Sequence, residues 1–198
     1  DGPDPVWTRE IQAVLDEHGV PGTFFVVGEH VLEYPDIVRE LHAAGHEIGN
    51  HTYTHPRVSA LSGWQVRLQY KLTQEAVANV IGEAPKVFRP PYSGSAPFFP
   101  VAEMEAATLV SRDLGIVSLL TDRIPKDYDL SVSVDELVAQ AMPPAGAGAA
   151  ITFHDGGGDR ANTIEALDRL ITELKENGYR FVTASEFIGL SSQGPSAA

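Results

Sequence analysis

Apolar residues recur along this chain in two alternating periods. Between Val6 and His18 they fall at Val6, Trp7, Ile11, Val14 and Leu15, one face of a helix that Gly19 stops. Thr23-Phe24-Phe25-Val26-Val27 is instead a continuous apolar run closed by Gly28, the pattern of a strand covered on both faces. The cycle then repeats. Pro35 opens a helix carrying Ile37, Val38 and Leu41, Gly45 ends it, and His46 to Asn50 forms the next strand. A helix from Ser62 to Ile81, a brief strand from Lys86 to Phe88, a helix from Phe98 to Leu114 and a strand from Ile116 to Leu120 follow. Ser133 and Glu136 make a capping box for a helix ending near Met142, before a strand from Ala149 to Phe153. The last helix carries Ile164, Leu167, Leu170, Ile171 and Leu174, ends at Gly178, and leads to a strand from Arg180 to Thr183. Such alternation predicts a parallel α/β architecture. Six strands are countable, and a strand-helix repeat that opens on a helix predicts one more strand ahead of Asp1. Seven units are too few for a regular eightfold barrel but adequate for an incomplete one, its first strand upstream of this chain.

Composition narrows the chemistry. At 198 residues and 43% apolar content the chain is sized for one domain, here 1–188, with the Ser-, Gly-, Pro- and Ala-rich 189–198 read as a flexible tail or linker. No segment approaches the roughly 18 apolar residues of a membrane span, and the first residues lack the basic start and apolar run of a signal peptide. A net charge of −13 argues against nucleic acid and anionic lipid as partners, while neutral glycans and small molecules remain. With no cysteine, metal ligands are restricted to histidine and carboxylate. Nothing in the pattern fixes an oligomeric state.

His51 and His55 are the first candidate ligands. If the chain turns helical after His51, a spacing of four puts both imidazoles on one face, about 5 to 6 Å apart at Cβ. Alone, such a pair is more often a solvated helix face. Its company changes the balance, because ionisable residues follow strand after strand: Asp1 after the missing one, Arg89 after Phe88, Asp122 and Asp127 after Leu120, His154 after Phe153. In barrels of this kind the working residues sit on those loops. Other candidates weigh less. By position alone His154 is equally a buried structural histidine bonded to Asp155. Gly156 to Arg160 lacks the Lys and the spacing of a phosphate loop. His18, His30, His42 and His46 have no partner at ligand spacing and are read as solvated or satisfied locally. Trp64 packs or lines a sugar groove, and Tyr53 faces substrate or core.

In order and spacing, Asp1-Gly2-Pro3, Thr23-Phe24-Phe25-Val26, His51-Thr52-Tyr53-Thr54-His55, Arg89-Pro90-Pro91-Tyr92 and Thr152-Phe153-His154-Asp155 resemble the motifs of the polysaccharide deacetylases. These are the NodB-like enzymes of carbohydrate esterase family 4. The resemblance implies a distorted, incomplete (β/α)7 barrel holding one divalent metal, Zn²⁺ first with Co²⁺ or Ni²⁺ as alternatives. It implies hydrolysis of N-acetyl groups on an N-acetylglucosamine polymer such as chitin oligomers or peptidoglycan. Acetylxylan, with an ester bond, is the alternative substrate, and a secreted or cell-surface location goes with either. Carried over residue by residue, the metal ligands are Asp1, His51 and His55. His154 is the general acid, Tyr92 supplies a backbone N–H to the oxyanion, and Pro91 and Tyr128 border the substrate. Arg89 orients the catalytic base, and Asp127, with Asp122 as competitor, supports His154.

Two departures from the family matter. Its first motif reads Thr-Phe-Asp-Asp-Gly, and this chain begins at the second Asp, so the base is expected upstream; without it the domain is a glycan-binding homologue. Tyr128 stands where the family has Trp. Two imidazoles and a carboxylate also suit a non-haem iron oxygenase, which the barrel motifs oppose and which finding zinc rather than iron by elemental analysis would remove.

Overall fold

The computed structural model describes residues 1–93 and 101–190. Its centre is a parallel sheet of four strands in the order β1 (Thr23–Val26), β2 (Glu47–Asn50), β3 (Val87–Phe88) and β4 (Val117–Ser118). The order follows the sequence because each connection contains a helix, and a parallel neighbour is reached only by such a crossover. Ahead of β1 lies α1 (Trp7–His18), ended by Gly19 in the left-handed conformation at φ 62°. Between β1 and β2 run α2 (Gly28–Glu33) and α3 (Pro35–Ala43), and α4 (Gly63–Ile81) follows β2. Then come α5 (Val101–Leu114), α6 (Val134–Ala141), α7 (Ala161–Glu176) and α8 (Ala184–Phe187). Ser62 with Gln65, and Ser133 with Glu136, close the capping boxes that start α4 and α6.

Burial matches the apolar periods. Ile11 and Leu15 of α1, Ile37, Val38 and Leu41 of α3, Ile48 of β2, Val77 of α4 and Ile171 of α7 form one cluster. Tyr70 of α4, Phe88 of β3 and Val110 of α5 form a second, and Leu137 of α6 with Leu170 and Leu174 of α7 a third. Each such side chain contributes about 1.5 to 3 kcal/mol by leaving water.

The register decides where the function can sit. Val26 pairs with Asn50, and Asn50 with Phe88, so the strands end level. The ladder then continues one residue into the loops, His51 N–H donating to Val26 C=O and Arg89 N–H to Asn50 C=O, both at 3.0 Å. His51 and Arg89 therefore leave the sheet side by side at one rim.

Several expected elements differ. β1 alternates buried Phe24 and Val26 with half-buried Thr23 and Phe25, so it is covered on one face only. Ala149 to Phe153 forms no strand: a single bridge joins Ile151 to Arg123, and its residues are half-buried against a cavity. Arg180 to Thr183 is likewise no strand, having no ladder partner among the described residues. α2 and α8 were not anticipated, each being too short to show a period. The predicted start of a helix at Phe98 lies outside the described residues, as do residues 191–198 of the expected tail. A cavity of about 320 Å³ separates β1 from the Ala149–Phe153 segment, lined by Phe25, Ile151 and Phe153 and reaching Asp1, His51 and Arg89 at the rim.

His46 departs from its expectation too. It is only 4% exposed, edge-on to Phe24 at 5.4 Å, and its Nδ1 accepts from Gly22 N–H at 3.1 Å. Nε2 lies 3.3 Å from Asp16 Oδ1 without hydrogen-bond geometry. Burial lowers its pKa from the ordinary 6.5, outweighing Asp16. A depressed histidine costs stability once protons are taken up by the unfolded chain first, so stability is full above pH 6.5 and falls as the pH drops toward the native value. In urea unfolding at pH 7 and pH 5, His46→Asn, which keeps an acceptor for Gly22, is expected to lose less on acidification than the parent.

Candidate metal and acid-base site

His51 and His55 sit on a loop rather than on a helix. Thr52 and His55 take φ values of 69° and 54°, a left-handed conformation that ends any helical path and folds the second imidazole back over the first. Neighbouring polar groups sustain that backbone. Asn50 Oδ1 accepts Thr52 N–H, Gln69 Oε1 of α4 accepts the N–H groups of Tyr53 and Thr54, and the first N–H groups of α2 donate to Thr52 and Tyr53 carbonyls. Asn50 is held in turn by Tyr70 C=O and Gln74.

Both imidazoles aim at one carboxylate oxygen. His51 Nε2 is 3.1 Å and His55 Nε2 3.2 Å from Asp1 Oδ1, the rings meet edge-on at 4.9 Å, and the three ligand atoms lie within 4.8 Å of one another. His51 Nδ1 contacts Arg89 C=O at 2.7 Å, which fixes the proton there and leaves Nε2 with its lone pair facing Asp1. Burial pushes His51 well below the usual histidine range and His55 down to about 4. At neutral pH both are uncharged, the form in which imidazole binds metal.

Asp1 is placed by a residue from the other end of the sequence. Asp155 Oδ1 accepts from Gly2 N–H at 2.9 Å and from the Asp1 amino group at 3.1 Å, and Oδ2 accepts the Thr8 hydroxyl at 2.8 Å. Burial opposes the Asp155 charge, which the Thr8 hydroxyl and Gly2 N–H stabilise. A Cβ at Gly2 would overlap that carboxylate, which accounts for the glycine.

The second constellation is His154 with Asp127. The Asp127 carboxylate accepts the His154 ring Nδ1–H at 2.7 Å and its backbone N–H at 2.8 Å, and the Thr163 hydroxyl at 3.1 Å. Asp127 C=O accepts Arg160 Nη1 at 2.8 Å, and the same guanidinium clamps Gly156 C=O. His154 is therefore bonded to Asp127 and not to Asp155 or to Asp122, whose carboxylate caps Ala150 N–H. The Gly-rich turn serves as this arginine's seat. Nε2 of His154 has no partner among the described residues and lies at the rim.

Arg89 is 6% exposed, donates to Ser93 C=O at 3.2 Å, and has an Nε with no partner among the described residues. Burial lowers its pKa to about 10, still charged at neutral pH. Pro91 is buried; Tyr92 is exposed at φ 57°, its ring edge-on to His55 at 4.8 Å, and no described group accepts its N–H. Tyr128 stands over His154 at 5.9 Å, also exposed. Trp64 is exposed on α4, and Tyr53 packs against Gly28. Sequence reasoning missed Asn50, Gln69, Thr163 and Arg160, which act by holding others; only the adjacency of Asn50 to His51 hinted at any of them.

The sequence model of the polysaccharide deacetylase family matches residues 1–106. The chain belongs to that family. It is 34% identical over 184 residues to a peptidoglycan-N-acetylglucosamine deacetylase of Bacillus cereus, a match covering 92% of this chain and 64% of the relative. Against a chitooligosaccharide deacetylase of Sinorhizobium fredii it is 32% identical over 193 residues, covering 90% of this chain and 84% of the relative. The structure of the peptidoglycan deacetylase PdaC from Bacillus subtilis superposes with a TM-score of 0.80 at 29% identity, covering 98% of this chain and 88% of that one. The parallel α/β fold is thus the family's, and the incomplete barrel is consistent with it.

Proposed function

We propose that this polysaccharide deacetylase hydrolyses N-acetyl groups of an N-acetylglucosamine-containing glycan, chitin oligomers or peptidoglycan, and releases acetate with the help of one divalent metal. The observation that carries this reading is the convergence of Asp1, His51 and His55 within 4.8 Å on the rim that also presents His154. The donor set fits Zn²⁺, with Co²⁺ and Ni²⁺ as alternatives, because two neutral imidazoles and a carboxylate leave coordination positions open. When bound, the metal polarises the acetyl carbonyl and lowers the pKa of a coordinated water toward 7.

The chain's own groups do the rest. Arg89 C=O keeps His51 in the tautomer that presents Nε2. Tyr92 N–H is a donor for the developing oxyanion, a contribution of about 2.7 to 4 kcal/mol in comparable sites. The His154 ring, held through Nδ1 by Asp127, carries at Nε2 the proton for the departing amine. The Arg89 guanidinium has an Nε free to orient a carboxylate that takes the proton from water. The rings of Tyr92 and Tyr128 border the groove where sugar rings would lie. Such a substrate agrees with a secreted or cell-surface enzyme, which rests on the family likeness.

The test is acetate release from acetylated chitooligosaccharides and from acetylxylan. Release is expected from the former, stopping with chelator and returning with zinc; release that ignores chelator overturns the metal-dependent reading. The alternative reading is a glycan-binding homologue. Oligosaccharide binding without acetate release, zinc present, would establish that reading.

A further inference from the structure

We propose that Arg57 is a specificity-determining residue that receives a carboxylate on the sugar next to the acetylated one. This rests on the reading of the rim as a glycan-deacetylating site and names the glycan class: N-acetylated and carboxylate-bearing, as against a neutral oligomer.

Arg57 follows His55 by two residues, and its guanidinium carbon lies 4.9 Å from the centre of the Tyr92 ring. The same ring meets His55 edge-on at 4.8 Å, so the cation stands one aromatic ring away from a metal ligand. Stacking on Tyr92 fixes the plane of the fork. Behind it, Glu103 Oε1 is 4.0 Å from Nη1, beyond hydrogen-bonding distance, and the Glu103 side chain is only 2% exposed. The front is open: the Arg57 side chain is 59% exposed and donates to no acceptor among the described residues.

That openness is unusual in this molecule. In a chain of net charge −13, most other surface arginines are engaged by carboxylates, although partly exposed Arg123 has no such partner among the described residues either. Arg9 donates to Glu40, Arg39 to Asp36, Arg67 and Arg112 to Asp113, Arg169 to Asp135 and Arg180 to Glu186. Arg57 makes only the long ion pair with Glu103 and keeps its planar donors for solvent or ligand, beside Tyr92. Arginine's fork matches a carboxylate through two parallel hydrogen bonds, which a hydroxyl cannot accept in the same way. A glycan that alternates an acetamido sugar with a carboxylate-bearing one would bring such a group to the rim when its acetyl group lies at the metal ligands.

Zinc-loaded protein is titrated calorimetrically with an N-acetylated tetrasaccharide whose alternate sugars carry free carboxylates, and with the methyl ester of the same compound. The parent is expected to bind the acid about tenfold more tightly than the ester at low salt. The ratio should narrow toward one near 1 M salt, where screening reaches about 3 Å. Arg57→Gln is expected to bind acid and ester alike, and Arg57→Lys to keep part of the preference. An unchanged ratio in Arg57→Gln overturns the proposal, as does a parent with no preference or no binding of either compound. Should Arg57→Gln melt at a lower temperature than the parent, Arg57→Lys and the salt series on the parent decide. Acetate release from a neutral chitooligosaccharide by the parent, measured alongside, tests the deacetylase reading separately, since the acid-to-ester ratio needs no turnover.

Discussion

Acetate release from an acetylated chitooligosaccharide is expected to fall by about 10² to 10⁴ in kcat when His154 is replaced by alanine, the range removed with a positioned general acid. The imidazole reaches the rim with one nitrogen committed to Asp127 and the other free, and an amine leaving group departs only when protonated. The same variant is expected to lose far less on an aryl acetate, whose phenolate leaves without a proton. Equal losses on both substrates would show that His154 only shapes the site. Asp127→Asn supplies a graded version. It leaves the imidazole in place but removes the carboxylate that fixes its tautomer, so its rate should fall between the parent and His154→Ala.

His55→Ala and His51→Ala are expected to take bound zinc from about one per chain, the stoichiometry of a three-ligand catalytic site, to near none, and acetate release to background. Elemental analysis after dialysis reads the first quantity and the acetate assay the second. The two variants differ in what else they disturb. His51 is 2% exposed and bonds Arg89 C=O, so its loss also leaves a buried carbonyl unpaired and lowers stability by about 1 to 3 kcal/mol. His55 is more accessible and packs against Tyr92, so its variant should stay folded and separate metal loss from unfolding. Retained zinc in a folded His55→Ala would remove that residue from the ligand set.

The helices were legible because they carry their own signals. α1, α3, α4, α6 and α7 combine apolar periods with Gly19, Pro35 and the Ser133 capping box, features that act within a few residues. The strands were less so. A strand is defined by its neighbour, and Ala149 to Phe153 has the right composition yet meets a described partner at Ile151 alone. At the site, the ligand pair was visible as histidines four apart, but the helical route to their convergence was incorrect. Nothing local in Thr52 or His55 announces a left-handed backbone, since these are not glycines; the conformation is imposed by Asn50 and Gln69 from outside the loop. Asp127 could be named but not separated from Asp122 by sequence, because only the fold decides which carboxylate faces His154.

The hydrogen bond from Gly2 to Asp155 spans 153 residues. Contacts of such separation form only after most of the intervening chain has ordered, because the loop they close is expensive in entropy. Asp1 is presented to His51 and His55 by that bond, so the three proposed ligands come together only late in folding. During synthesis the two histidines emerge at least a hundred residues before their partner's anchor, and until Asp155 arrives they would offer only a bidentate, easily reversed site. Tight metal uptake would then mark a finished domain, and a chain stalled before Asp155 would exchange its ion freely.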